Sequence, residues 1–286
     1  MSANTIIATA SATTKSQNQD SISEFEAENI KAIVVADGLG SFKYPKLASQ
    51  RVVEFFRNEV EAISARNEIL TMQAVVEMFR KSKLDLIDFG NENLKEHEKS
   101  ENNLFGTTVI ALFEFDTKFL MAYVGNGAIW HIRGNFNEFP DSYHFPWNAM
   151  NYLNPHTIPE RGKEALYRLI SNNRSDFECR PTVIEIQKDT EYGDMFMICT
   201  DGIYSADQLK AGKNDKGLWV RYEESMLKYF QFLKTTLMNG KVNNKKDIER
   251  MLCDYLEELK PLLDDDASVG ILLSQEALSY QLRCVD

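Results

Sequence analysis

Residues 29–49 read NIKAIVVADGLGSFKYPKLAS. Five apolar residues, Ala32 to Ala36, run straight into Asp37-Gly38. Such a short run, rich in β-branched side chains, predicts a buried strand. A carboxylate at its exit is unusual. Asp37 is either a turn residue or the holder of something, and Asp-Gly is a common turn pair. From Pro45 the period changes, with Val52, Phe56, Val60 and Ile63 falling on one helical face.

Outward from this stretch the chain reads as strands and helices in blocks. Residues 5–11 and 20–25 are short candidate strands ahead of the Asp37 run. Val75, Phe79 and Leu86 mark a second amphipathic helix that runs down into the polar stretch GNENLKEHEKSENN. GTTVIALFEF and KFLMAYVG predict a hairpin around Asp116-Thr117. Asn126-Gly127, between further strand-like runs, predicts a second hairpin. Residues 134–175 are aromatic and punctuated by Pro140, Pro146, Pro155 and Pro159, which predicts a long irregular segment of functional or lid type. TVIEIQ and DMFMICTDGIYS follow as strands, then two helices, the closing strand ASVGILLS and a short tail. The blocks predict an α+β fold of face-to-face sheets with helices outside, as one domain over residues 1–286.

The chain has 286 residues, 43% hydrophobic and 26% charged, which is globular composition. A net charge of −11 and the lack of any basic block argue against nucleic acid as a partner. No apolar run reaches membrane-spanning length, and the N-terminus lacks a signal peptide's basic region. Cys179, Cys199, Cys253 and Cys284 show no metal-type spacing and read as reduced thiols of a cytoplasmic protein.

The feature at Asp37 recurs. MFMICTDG is again an apolar run ending in Asp-Gly, at Asp201-Gly202, and Asp264-Asp265-Asp266 enters the last strand. If these strands are neighbours, their carboxylates converge and need protons or cations to coexist. All-oxygen ligands suit Mg²⁺ or Mn²⁺ rather than Zn²⁺, and Gly38 exposes a backbone carbonyl as a further hard ligand. Two such ions are the usual apparatus for hydrolysing a phosphate ester with an activated water. No GxSxG elbow, P-loop or phosphatase-type cysteine motif offers another nucleophile. His97, His131, His144 and His156 have no visible nucleophile partner.

Taken in order, these stretches resemble the metal-dependent protein serine/threonine phosphatases of the PPM, or type 2C, class, in its bacterial form. KSQNQDS, VVADGLGSFKYPKLAS, FGTTVIALF, AYVGNGAIWHI, FMICTDGIYS and DDDASVGILL follow the family's sequence of motifs through nearly the whole chain. The resemblance implies a four-layer α-β-β-α sandwich, two antiparallel sheets flanked by helix pairs, with a flap-like segment at about 134–175. It implies that Asp37 bridges two Mn²⁺ or Mg²⁺ ions, that Gly38 offers its carbonyl, that Asp201 and Asp265 complete the ligands, and that Asp20 orients metal-bound water. Asp265 is chosen within its triplet because the family's ligand lies three residues before the strand's hydroxyl residue, here Ser268.

Four positions depart from the pattern. Lys15 stands where the family has a phosphate-gripping Arg, and lysine offers a point charge rather than a bidentate fork. Gln19, Asn126 and Ser205 replace carboxylates, the last two predicting a weak or absent third ion. Two readings follow: a phosphatase acting on phosphoserine and phosphothreonine proteins, with Lys15 on the phosphate and a cognate kinase as counterpart, or a catalytically quiet phosphatase-like module that binds a kinase or phosphoprotein. The aromatic residues Phe145, Trp147 and Tyr152 suit either a peptide-docking surface or packing of the long segment onto a sheet.

Overall fold

The computed structural model describes residues 5–284, apart from 28, 100, 134–148, 161–162, 206–209, 214–218, 223 and 239–243. The chain begins with β1 (Ile6–Ala12), β2 (Asp20–Ala27), β3 (Ile30–Asp37), α1 (Pro45–Ala65), α2 (Met72–Asn93) and a single turn, α3 (Glu96–Lys99). Next come β4 (Gly106–Thr107), β5 (Val109–Glu114), β6 (Lys118–Val124), β7 (Ala128–Arg133) and β8 (Ala149–Asn151). They are followed by β9 (Thr157–Glu160), β10 (Lys163–Leu166), β11 (Ile170–Ser171), β12 (Thr182–Gln187) and β13 (Asp194–Cys199). The rest is α4 (Gly202–Ser205), β14 (Lys210–Lys213), β15 (Trp219–Tyr222), α5 (Glu224–Met238), α6 (Lys245–Leu259), β16 (Ala267–Leu273) and α7 (Gln275–Cys284).

These elements form two compact units, each a five-stranded antiparallel sheet with a pair of helices. The first unit holds Gln17–Gly127 and Leu153–Lys188, with strand order β12-β6-β5-β3-β2. One face of β3 carries Ala32, Val34 and Ala36, the period-2 set, and these join the core with Val52, Phe56 and Val60 of α1. Phe56 meets Phe79 of α2 edge to face at 5.0 Å. Pro45 sits in the first turn of α1, where a missing N–H costs nothing, and the Thr71 hydroxyl caps α2 by accepting from the Ala74 amide at 3.1 Å.

The second unit holds Met1–Ser16, Ala128–Tyr152 and Asp189–Asp286, with strand order β1-β16-β13-β7-β8. Val269, Ile271 and Leu273 of β16 pack with Tyr229 and Leu233 of α5 and Leu252, Tyr255 and Leu259 of α6. Asn244 and Asp247 close a reciprocal capping box on α6.

Three features differ from the sequence expectation. Asn126-Gly127 does not close a hairpin: β6 pairs with β5 on one edge and β12 on the other, so no edge is left for β7, which pairs with β13 and β8. Gly125 and Gly127, at φ of 105° and 115°, turn the chain between the two sheets. The short tail is a helix, α7. Residues 134–175 are less irregular than expected, since β9 and β10 form a hairpin and β11 pairs with β4; residues 134–148, with Phe145 and Trp147, lie outside the described residues.

Candidate functional site

In the first unit the ladder between β2 and β3 puts Asp20 directly opposite Asp37. Asp20 is only 2% exposed, and Asp37 is half-buried. The Asp37 backbone is pinned by the β4–β5 corner: its carbonyl accepts from the Thr108 amide at 2.9 Å and from the Thr107 hydroxyl at 2.8 Å, and its amide donates to Thr108 Oγ1 at 3.3 Å. The GTT of the FGTTV stretch is thus the support of the Asp37 turn.

Gly38 is required sterically. A Cβ there would lie 2.2 Å from the Pro45 carbonyl oxygen and 2.9 Å from that of Gln19. Its amide donates to the Gln19 carbonyl at 3.3 Å. The first turn of α1 holds the same corner, through residues that sequence reasoning did not single out. The buried Ser49 hydroxyl donates to the Gln19 carbonyl at 2.6 Å, and Lys46 Nζ donates to the Asp20 carbonyl at 2.6 Å and Ser21 Oγ at 3.1 Å. Their signal was present in the KLAS end of the opening stretch. The Asp20 amide donates to Asn18 Oδ1 at 2.9 Å, an Asx-type turn that starts β2 at this carboxylate.

Asn126 lies in the same unit, flanked by the two positive-φ glycines. Thr108 packs on Gly125, where a Cβ would come within 2.6 Å of its methyl group. The Gly125 amide donates to His156 Nδ1 at 3.2 Å, so the proton is on Nε2, 3.0 Å from Thr182 Oγ1. Burial, with the Arg168 guanidinium adding to it, holds this imidazole down at about 4, so His156 is a neutral brace for the turn.

In the second unit Lys15, Asp265 and Asp266 come together. Lys15 Nζ donates to Asp265 Oδ1 and stands 3.9 Å from Asp266 Oδ2, and the Thr13 hydroxyl donates to Asp266 Oδ1. The register of β1 on β16, with Ala12 opposite Ala267, delivers Thr13 and Lys15 to this triplet. The two carboxylates differ in exposure: the Asp266 side chain is 1% exposed and that of Asp265 51%. Asp201 lies two residues past β13, where the chain is close against the same triplet: a Cβ on Gly202 would lie 1.7 Å from the Asp266 carbonyl oxygen. The Thr200 amide donates to the Ser268 carbonyl at 3.0 Å, and the Ser268 amide returns to Thr200 Oγ1 at 2.9 Å. Trp130 Nε1 donates to Tyr204 Oη at 2.9 Å and so holds the helical turn that follows Asp201. Ser205 closes that turn, its side chain outside the described residues. Tyr152 packs 5.8 Å from the ring of His131, and the buried Asp194 pairs with both His131 and Arg133.

Carboxylates and a glycine-opened backbone are hard oxygen donors, and the ladder sets the buried Asp20 opposite Asp37, so the donor set fits Mg²⁺ or Mn²⁺ in kind. Among the described residues no three His, Cys, Asp or Glu side chains cluster closely enough to hold an ion by themselves.

The fold, mixed α+β with two main antiparallel sheets and helices, is that of solved bacterial serine/threonine phosphatases. The S. agalactiae serine/threonine phosphatase aligns with a TM-score of 0.64 at 14% identity, over 94% of this chain and 99% of that one. PstP/Ppp of Mycobacterium tuberculosis gives 0.59 at 13% identity, over 94% and 98%. Stp1 of Staphylococcus aureus gives 0.59 at 16% identity, over 96% and 95%. The family model for protein phosphatase 2C matches residues 9–253, and the chain belongs to that family. No curated protein sequence matches it.

Proposed function

We propose that the chain is a metal-dependent phosphoprotein phosphatase, residues 1–286 acting as one domain, that hydrolyses phosphoserine and phosphothreonine in protein substrates. The observation that carries this reading is Asp37-Gly38 at the exit of β3, opposite the buried Asp20, in a chain of the protein phosphatase 2C family. In this reading Asp37, the Gly38 carbonyl, Asp201 and Asp265 would hold two Mn²⁺ or Mg²⁺ ions, and Asp20 would orient water. Such ions, when bound, acidify a water and offset charge on the phosphoryl group.

The chain's own residues do the positioning. Thr107 and Thr108 hold the Asp37 backbone and so aim its carboxylate. Lys46 and Ser49 fix the backbone on either side of Asp20. Lys15 supplies the cation for the substrate phosphate, and its contact with Asp265 keeps it at the acidic triplet until a phosphate competes for it. Asn126 and Ser205 in place of carboxylates make any third ion weak. A cytoplasmic setting suits the free thiols Cys179, Cys199 and Cys253, and among the described residues no helix is long and apolar enough to cross a membrane. A kinase that phosphorylates the same proteins is the expected counterpart.

The test is phosphate release from a phosphothreonine peptide with Mn²⁺, with Mg²⁺ and after chelation, beside Asp37→Ala. Release that needs the cation and disappears in the variant is the expected result. No release with either cation would overturn the enzyme reading in favour of a phosphoprotein-binding module.

A further inference from the structure

A surface of the first unit is built from the segments around Arg168 and Phe177. The Arg168 guanidinium carbon lies 5.0 Å from the centre of the Phe177 ring and 5.5 Å from that of Tyr167. Its Nε is buried and has no hydrogen-bond acceptor. Phe177 is 64% exposed, although phenylalanine is among the residues most often buried. Arg180 is exposed on the same turn, its amide donating to the Phe177 carbonyl at 3.2 Å. The Leu169 amide donates to the Glu178 carbonyl at 3.1 Å and ties the two segments side by side.

Charge pairing sets the two arginines apart. The cations paired with carboxylates of the same turn are Lys83 with Asp176 at 2.8 Å and Arg174 with Glu178 at 2.8 Å. Neither Arg168 nor Arg180 has an ion pair among the described residues. In a chain of net charge −11, a guanidinium stacked on an exposed aromatic ring, with a second exposed arginine on the same turn, is a recognition chemistry rather than a solvated face. A guanidinium stacked on rings is held rigid, with its fork of donors set for a carboxylate.

We infer that the Arg168–Phe177–Arg180 surface docks an acidic peptide segment carrying an apolar anchor residue. The carboxylates would meet the two guanidiniums, and the anchor would cover Phe177. That the segment comes from a protein substrate rests on the phosphatase reading; the chemistry of the surface does not.

The test is fluorescence anisotropy of the full chain with a labelled, unphosphorylated peptide of Asp and Glu around one Leu, beside the same peptide with Lys in place of the acids. The acidic peptide is expected to bind, more weakly as salt rises, and the basic one not. Arg180→Gln and Phe177→Ser alter exposed side chains and leave the fold intact, and each is expected to weaken binding about tenfold. Arg168→Lys keeps the charge but loses the planar fork, and is expected to do the same. Wild-type affinity in Arg180→Gln and Phe177→Ser, or equal binding of the basic peptide, would overturn the inference. Hydrolysis of a small aryl phosphate, followed in parallel, is expected to be unchanged in these variants. Its absence in the wild type would remove the phosphatase reading while the anisotropy still decides the surface.

Discussion

Asp20 and Asp37 face each other across the β2–β3 ladder, one almost wholly buried and the other half-buried. Like charges directly opposite in a sheet destabilise it by roughly 0.2–1 kcal/mol. A cation held by Asp37 would offset this repulsion, and Asp37→Asn separates the two effects. Without divalent ions the variant is expected to match or slightly exceed the wild type in thermal stability. With Mn²⁺ at a hundredfold excess over its dissociation constant the wild type gains about 2.7 kcal/mol and the variant far less. Melting curves with and without Mn²⁺ check this. Equal Mn²⁺ stabilisation of both proteins would exclude Asp37 as a ligand.

Gly38 has no room for a side chain, its Cβ position being 2.2 Å from the Pro45 carbonyl oxygen. Both crowding atoms are backbone, so a methyl group must displace the start of α1 or the Gln19 loop. Gly38→Ala is expected to cost about 1–3 kcal/mol in denaturant unfolding. It is also expected to lower phosphate release more than Gly40→Ala, where the Cβ would meet only the end of the Gln19 side chain at 3.4 Å. Equal stability of the two variants would refute the steric account.

Lys15 is placed on Asp265 through a flexible stem, as a point charge. Lys15→Gln is expected to raise KM for a phosphopeptide about tenfold, the equivalent of about 1.4 kcal/mol, with a smaller change in kcat. Lys15→Arg restores the charge with a bidentate fork and is expected to lower KM below the wild-type value. Steady-state kinetics on all three proteins distinguish this from a structural role, which would leave KM unmoved in both variants.

His156 is buried as the neutral form, held down at about 4 by burial and then by Arg168. In the unfolded chain its pKa returns to about 6.5. Between these values the unfolded state binds the proton and the folded state does not. Stability present above about pH 6.5 is therefore lost as pH falls toward 4, by up to about 3 kcal/mol, and levels off below that. His156→Gln is expected to flatten this part of the stability–pH curve in denaturant titrations at fixed salt. An unchanged slope would mean that other groups carry it.

Much of the site was legible because its signals are local. An apolar run that stops at Asp-Gly declares a strand end whatever the strand packs against, and it did so at both Asp37 and Asp201. The stripe of Val52, Phe56, Val60 and Ile63 likewise declared α1, since a helical period is a property of the stretch itself. Asn126-Gly127 shows where local reading stops. Its residues permit a reversal, but hairpin pairing also needs a free edge, and β5 and β12 already occupy both edges of β6.

The sequence by itself determined which segments are strands and helices, where the carboxylates stand along them, and the family to which the motifs point. Only the tertiary structure decided what each carboxylate meets. Register placed Asp20 opposite Asp37, and the pairing of β1 with β16 brought Lys15 to Asp265 and Thr13 to Asp266 from 250 residues and more away. Periodicity is written in neighbouring residues, whereas register and burial depend on partners distant in the chain.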